Sequence, residues 1–303
     1  MSFIKTHLTY FLIFMHYTEV KSILSPKNGM NLYRGCTHGC IYCDSRSDIY
    51  QMNHEFEDIE VKKNALELLR KSLKNKRKKV MIGTGSMADP YMPIEKRLEY
   101  TRSALKLIYK YGHGFTCITK SDLILRDLDL IKKINENTKA VVQMTLTTAD
   151  EDLCKILEPN VCSTKRRVEV LKTLNENNIP TIVWLCPILP FINDTEENIN
   201  QIIDYCIDTN VKGILCFQMG LTLRDGNREY FYQKLDENFP NLKEKYITHF
   251  KNNYQVPSPY NSKLMKIFNK RTYDAGIMNN FDEIFPYLYN LPNKNMSKQT
   301  TLL

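Results

Sequence analysis

The chain has nine cysteines among 303 residues but no paired framework of the kind that staples small secreted domains. It also has no internal repeats, no low-complexity linker and no apolar run long enough to cross a bilayer. These absences argue against a disulfide scaffold, a repeat solenoid and a helical membrane protein. We expect a cytoplasmic monomer in a reducing compartment, with no membrane partner.

An apolar patch at residues 8–14 is the one segment that resembles a signal peptide or membrane anchor. It is too short to span a bilayer, and no small-residue cleavage site follows it. We therefore expect Met15 to be an alternative or genuine start of the protein.

The charge balance is basic, with 42 Lys and Arg against 34 Asp and Glu and a net charge of +8. Much of the excess lies in the run KNKRKK at residues 74–79, which suits either a solvated face or a phosphate contact. This balance favours an anionic partner without proving one, and no DNA-reading module is visible in the sequence.

Strand-like apolar segments alternate with segments whose apolar residues recur at helical spacing. Strands are predicted at residues 30–33, 80–82, 114–119, 140–147, 179–188 and 211–218, and helices at residues 61–73, 97–109, 123–134, 164–175 and 196–207. This alternation predicts an α/β fold with a parallel sheet, in which ligands collect at the carboxyl ends of the strands. After Thr222 the alternation stops, and residues 230–250 and 262–289 are predicted to be helical. We therefore expect an N-terminal segment at 1–28, a core domain at 29–218 and a helical C-terminal extension at 219–303.

Three thiols stand close together in the segment RGCTHGCIYC, where Cys36, Cys40 and Cys43 form a C-x3-C-x2-C array. A four-iron cluster normally takes four cysteine thiolates, but the next cysteine is Cys117. The loop would hold three irons and leave the fourth without a local protein ligand. An open coordination position implies chemistry, as it does in catalytic zinc sites.

A structural zinc site is the alternative interpretation of the same thiols, with His38 or His54 as fourth ligand. Zinc modules usually show paired two-residue spacings, and this triplet is asymmetric. The spacing therefore favours an iron–sulfur cluster.

The array, with Tyr42 directly before its last cysteine, resembles the signature loop of the radical S-adenosylmethionine (SAM) enzymes. The segments NLYRGCTHGCIYC, GTGSMADPYMPIE, TKSDLILRD, PILPFIND and GLTLRDGNREYFYQKLDENFP resemble the spore photoproduct lyase-like branch, often called DNA repair photolyase-like proteins. The resemblance runs from about residue 15 to about residue 292. It implies a partial (β/α)6 TIM-like barrel, a [4Fe–4S] cluster, cleavage of SAM to methionine and a 5′-deoxyadenosyl radical, and a flavodoxin- or ferredoxin-like reductant.

The resemblance also implies roles for single residues. Cys36, Cys40 and Cys43 match the cluster ligands, and Tyr42 matches the aromatic residue against the adenine, although a packing tyrosine is the alternative. By the same match, Ser86 contacts the methionyl amino group, Lys120 the carboxylate and Thr145 the ribose, with residues 187–191 beside the adenine. Simple loop capping for Ser86 and simple exposure for Lys120 stay open.

Two arginines and three cysteines complete the list of candidate site residues. Arg166 and Arg167 precede a helix and suit either an anionic group of SAM or substrate, or an exposed helix start. Lyases of the resembling branch carry a hydrogen-donating cysteine in the segment that here reads GTGSMADP, which contains none. Cys117 is the candidate substitute, with Cys186 and Cys216 as others, although buried strand cysteines are usually inert.

The substrate is therefore left open by the sequence. A nucleic-acid base is one candidate, and a small metabolite or a peptide is the alternative. A non-catalytic zinc-binding or scaffold protein is the third hypothesis.

Overall fold

The computed structural model describes residues 14–292, which form three sheets surrounded by helices. The strands are, in chain order, β1 (Met15–Thr18), β2 (Gly29–Met30), β3 (Tyr33–Arg34), β4 (Ile59–Lys62), β5 (Met81–Thr84), β6 (Gly114–Thr119), β7 (Ala140–Thr145), β8 (Thr181–Trp184), β9 (Gly213–Leu215), β10 (Gly220–Thr222) and β11 (Gln255–Pro257). The α-helices are α1 (Ala65–Asn75), α2 (Glu95–Leu98), α3 (Tyr100–Lys110), α4 (Leu128–Asn137), α5 (Glu151–Leu157), α6 (Thr164–Glu176), α7 (Glu196–Asp208), α8 (Asn227–Asn238), α9 (Leu242–Phe250), α10 (Asn261–Asp274) and α11 (Phe281–Tyr289). Short 3-10 helices lie at Asp44–Arg46, Asp48–Tyr50 and Asp122–Asp127.

The main sheet has six strands in the order β2-β5-β6-β7-β8-β9, and every neighbouring pair is parallel. Successive side chains of a strand point to opposite faces of the sheet. One face packs on the crossover helices and forms the main core, as Val142 and Val183 illustrate. The other face packs on α11, where Val141 and Ile182 contact the cluster that contains Ile284. The fold is therefore the predicted partial (β/α)6 TIM-like barrel with a helical extension, and α11 covers part of its inner face.

The predicted first strand and first helix have different bounds in the structure. Residues 30–33 do not form one strand, because β2 belongs to the main sheet and β3 to a second sheet. Val61 lies in β4 rather than in α1, which begins at Ala65. The alternation in IEVK buries Ile59 and Val61 on one side of β4, so Val61 follows a strand pattern and does not belong to the apolar stripe predicted for the helix.

The second sheet has the order β1-β4-β3 and leads directly into the cysteine loop. β1 runs parallel to β4, with His16 opposite Glu60, and β3 runs antiparallel to β4, with Arg34 opposite Glu60. The chain passes from Arg34 to Cys36 within two residues, so this sheet fixes the start of the loop.

The chain after residue 219 contains an antiparallel pair, β10 and β11, that the helical prediction did not include. This region also packs on the cysteine loop, because Asp48 N donates to Asp225 O at 3.0 Å. The division at residue 219 stays a prediction. Across residues 14–292, no helix combines the length and the apolar character that crossing a membrane requires.

Candidate active site

The cysteine loop is held by backbone hydrogen bonds on both sides. Cys36 N donates to Phe56 O at 3.0 Å, and Ile41 N donates to Leu157 O at 3.0 Å. Gly35 has a φ of +83°, and a Cβ at that position would lie 2.5 Å from Phe56 O. Only glycine fits there, since both the backbone conformation and the contact exclude a side chain.

The three thiols of the loop are free, and two of them are buried. Burial raises the pKa of Cys36 to about 12 and raises the pKa of Cys40 as well. A thiolate here therefore needs a cation beside it, and the irons of a cluster would supply that charge.

The three thiols are not gathered into the compact arrangement of a single-ion site. In the part of the chain that the structure describes, one group of His, Cys, Asp or Glu side chains brings three ligand atoms within 4.8 Å of one another. The three thiols of the loop do not belong to that group. Thiolates on one tetrahedral zinc ion would be about 3.8 Å apart. A cubane binds each thiolate to a different iron and so holds the sulfur atoms farther apart, an arrangement that does not require the thiols to lie within 4.8 Å of one another.

Tyr42 lies at the centre of a buried polar network that the sequence did not reveal. Its ring packs with Leu157 and Leu189, and its hydroxyl donates to the carboxylate of Glu158. Glu158 forms an ion pair with Arg167, and both side chains are fully buried. Burial opposes ionisation of Glu158, but Arg167 and Lys120 hold its pKa below the ordinary value.

Lys120 follows β6 at the carboxyl edge of the main sheet. Its Nζ lies 5.8 Å from the centroid of the Tyr42 ring. Burial acts to lower the pKa of Lys120, but the neighbouring Cys40 and Glu158 outweigh it and raise that pKa above its ordinary value. The structure therefore places the ammonium group of Lys120 beside the cysteine loop.

Asp89 joins the loop after β5 to the end of β6. Its carboxylate accepts hydrogen bonds from Thr119 Oγ1 and from Lys120 N, both at 2.8 Å. It also lies 3.4 Å from Nδ1 of His38, a buried residue of the cysteine loop. His38 thus contacts Asp89, a contact that the zinc hypothesis did not include. The only sequence signal for Asp89 was an acidic residue before a proline in a glycine-rich loop.

Thr145 and Ser86 occupy different parts of the inner face. Thr145 is buried, lies two residues beyond Gln143 on the same face of β7, and its carbonyl accepts from Arg167 Nη1 at 2.8 Å. Ser86 is exposed and lines a cavity of about 540 Å³ together with Gln143. Within residues 14–292, no hydrogen bond joins Ser86 to Tyr42 or to Thr145. Arg167 thus links Thr145 to Glu158 and Tyr42, and Lys120 lies beside Tyr42, whereas Ser86 lines the cavity.

A row of aromatic rings runs along the same cavity and was not foreseen. Phe285 and Tyr289 line the cavity, and their ring centroids are 6.4 Å apart. Phe281 stacks on Phe217 with centroids 4.8 Å apart, and Phe217 is 52% exposed. The helical spacing of Phe281, Phe285 and Tyr289, four residues apart, was the available signal.

The sequence model of the family described as the radical SAM superfamily matches residues 30–206, more than half of the chain. The chain belongs to the radical SAM superfamily. An uncharacterized protein of Methanocaldococcus jannaschii is 37% identical over 181 residues, which are 59% of this chain and 67% of the relative. An uncharacterized protein of Mycobacterium tuberculosis is 26% identical over 248 residues, 78% of this chain and 70% of the relative.

Solved structures resemble the fold of this radical SAM chain. A variant of spore photoproduct lyase has a TM-score of 0.63 at 14% identity, covering 88% of this chain and 81% of the lyase chain. SuiB of Streptococcus suis bound to S-adenosylmethionine has a TM-score of 0.51 at 13% identity, covering 83% of this chain and 49% of its own. At such identities the likeness concerns the fold alone. The family and the fold together identify the chain as a radical SAM enzyme.

Three candidate residues of this radical SAM enzyme lie elsewhere than expected. Cys117 is fully buried in the helix-facing core, whereas its neighbours Thr116 and Ile118 line the cavity. That placement does not suit a hydrogen donor, because strand residues alternate sides. Arg167 is not an exposed helix start, since it pairs with Glu158.

Arg166 also differs from the expectation of a SAM or substrate contact. It forms exposed ion pairs with Asp122 at 2.9 Å and with Glu169 at 2.8 Å. Within residues 187–191, Leu189 packs in the Tyr42 cluster, but Phe191 packs on Tyr246 of α9. The adenine role of that segment stays a prediction.

Proposed function

We propose that Cys36, Cys40 and Cys43 hold a [4Fe–4S] cluster and that the adjoining strand ends bind SAM. When bound and reduced, the cluster supplies the electron that cleaves a carbon–sulfur bond of SAM to give methionine and a 5′-deoxyadenosyl radical. The observation that carries the proposal is a loop of three separated, free thiols at the carboxyl edge of a parallel sheet, next to the cation of Lys120.

The chain's own residues have distinct tasks in this proposal. Lys120 neutralises the carboxylate of SAM with a charge that its neighbours keep in place. Tyr42 presents an orientated ring to the adenine, because Glu158 holds its hydroxyl. Thr145 contacts the ribose from the inner face of β7. Ser86, which lines the cavity, contacts the methionyl amino group.

The substrate in our proposal is a nucleic-acid base. Phe285 and Tyr289 line the cavity, and the row of rings continues through Phe281 to the exposed Phe217. Bases stack on such aromatic side chains with about 1–3 kcal/mol per base. The net charge of +8 attracts a phosphate backbone. A flavodoxin- or ferredoxin-like protein would deliver the electron.

Anaerobic reconstitution with iron and sulfide tests the first part of the proposal. We expect the reduced protein to give an electron paramagnetic resonance signal of a cubane that changes on addition of SAM, together with formation of 5′-deoxyadenosine. The Cys40→Ala variant should lose both. A protein that binds only zinc, or a cluster indifferent to SAM, would overturn the proposal.

The substrate class needs a separate measurement. We expect single-stranded oligonucleotides to bind with an affinity that falls steeply with salt, because phosphate contacts release counterions. Phe217→Ala should weaken that binding by about tenfold through lost stacking. Stimulation of 5′-deoxyadenosine formation by a peptide or small metabolite, with no nucleic-acid binding, would instead support the alternative substrate class.

A further inference from the structure

A second group of metal-ligating side-chain types, which contains none of the thiols, lies on the three-stranded sheet and the loop before β4. One ring nitrogen of His16, one of His54 and a carboxylate oxygen of Glu60 all lie within 4.8 Å of one another. His16 and Glu60 are direct partners in the parallel pair β1 and β4, so their side chains share a face. His54 comes from the loop that precedes β4.

Each histidine has its Nδ1 occupied by a hydrogen-bond partner. Nδ1 of His16 lies 3.0 Å from Asp58 Oδ2, and Nδ1 of His54 lies 3.0 Å from Glu55 O. A backbone carbonyl can only accept, so Nδ1 of His54 carries a hydrogen, and in the neutral imidazole the lone pair lies on Nε2. Metal-binding histidines characteristically donate their second ring N–H to a carboxylate or a backbone carbonyl in this way.

The Nε2 atom of His54 faces an oxygen that is also an acceptor. It lies 3.5 Å from Glu60 Oε2, is buried, and has no hydrogen-bond partner among residues 14–292. Two acceptors at that distance repel each other unless a proton or a metal ion lies between them. Ligands about 2.1 Å from a tetrahedral zinc ion are about 3.4 Å apart, which matches the observed separation.

The chemistry of the donors selects the ion. Two imidazoles and one carboxylate form a ligand set that zinc uses with water in the fourth position. The side chains of His54 and Glu60 are 13% and 12% exposed, while that of His16 is 41% exposed, so solvent reaches one side of the group. We propose that His16, His54 and Glu60 bind a zinc ion, with Asp58 and Glu55 O orienting the two imidazoles.

The ion would connect β1, β4 and the loop at residues 51–58. That loop supplies Phe56 O, which accepts the hydrogen bond from Cys36 N. Zinc at this position would thus stiffen the support of the cysteine loop without entering the radical chemistry. The site does not depend on the proposed cluster or substrate.

Cobalt(II) substitution tests the site in the full chain carrying Cys36→Ala, Cys40→Ala and Cys43→Ala, which removes the three thiols of the proposed cluster. We expect one equivalent of cobalt(II) to give visible d–d bands without a thiolate charge-transfer band. Adding His54→Ala or Glu60→Gln should weaken binding at least 100-fold, and Asp58→Asn should weaken it by about 10- to 100-fold. The exposed His249 provides the matched control, and His249→Ala should change nothing.

Elemental analysis of the reconstituted protein provides an independent readout. We expect one zinc per chain, lost in His16→Ala while the iron content and the circular dichroism spectrum stay unchanged. His16 is the most exposed of the three ligands, so its replacement threatens folding least. Cobalt bands with thiolate character, no saturable uptake, or zinc retained after replacement of all three ligands would each overturn the proposal.

Discussion

The hydroxyl of Tyr42 donates a hydrogen bond to the buried carboxylate of Glu158, 116 residues later in the chain. This contact joins the cysteine loop to the turn after α5 and fixes the orientation of a ring beside Lys120.

Tyr42→Phe should lower the free energy of unfolding by about 1–3 kcal/mol, because it removes one partner of a buried hydrogen bond while keeping the ring. Urea denaturation followed by circular dichroism measures this. Tyr232→Phe is the matched control, since the buried hydroxyl of Tyr232 has no partner in the described part of the chain. Equal effects of the two substitutions would contradict a stabilising role for the bond to Glu158.

Neighbouring arginines on α6 offer a second comparison. Arg167→Met leaves Glu158 buried without its ion-pair partner, and we expect a loss of about 3–5 kcal/mol in the free energy of unfolding. Arg166→Met breaks only exposed pairs, each worth about 0–1 kcal/mol. The double substitution Arg167→Met with Glu158→Gln should recover part of the loss. No recovery would mean that Arg167 stabilises the fold through its packing rather than through its charge.

Long elements with clear periodicity were predictable from sequence. The bounds of β6 were predicted without error, since a run of β-branched and aromatic residues begins at Gly114 and ends before Lys120. The predicted helices at 164–175 and 196–207 differ from α6 and α7 by one residue at one end. Local apolar spacing carries the information in these cases.

Features that depend on distant partners were not predictable. β10 and β11 have three residues each and pair across more than thirty residues, so neither has a periodic signal of its own. Burial of Arg167 depends on Glu158, which follows a helix that the sequence did not predict. The cysteine loop was visible because spacing of thiols is local, whereas the group of His16, His54 and Glu60 forms only when β1 pairs with β4.

Lys120→Met should weaken SAM binding by about 10- to 100-fold, because a charge-assisted contact to a carboxylate contributes about 1.5–3 kcal/mol. Equilibrium dialysis with SAM on the reconstituted protein measures the change. Lys155→Met, which alters an exposed lysine of α5, is the control and should bind SAM as the parent does. Iron content should be the same in both variants. Unchanged affinity in Lys120→Met would remove Lys120 from the proposed SAM site.

A comparison of substitutions at Gly35 and Gly276 separates the effect of steric exclusion from that of backbone strain. Both have positive φ, +83° and +65°, but an added Cβ at Gly35 would meet Phe56 O at 2.5 Å, whereas at Gly276 nothing lies within 4 Å. Gly276→Ala should therefore cost only the strain of the left-handed conformation, about 1–2 kcal/mol in the free energy of unfolding.

Gly35→Ala should cost more than Gly276→Ala, and it should also displace Cys36 from its hydrogen bond to Phe56. We expect the reconstituted Gly35→Ala protein to bind less iron than the parent, while Gly276→Ala binds the same amount. Thermal unfolding and iron analysis of the two variants make the comparison. The contrary outcome is a Gly35→Ala protein that retains its full iron content and loses no more unfolding free energy than Gly276→Ala. The cysteine loop would then have room to move away from Phe56, and the close approach of Gly35 to Phe56 O would not position Cys36.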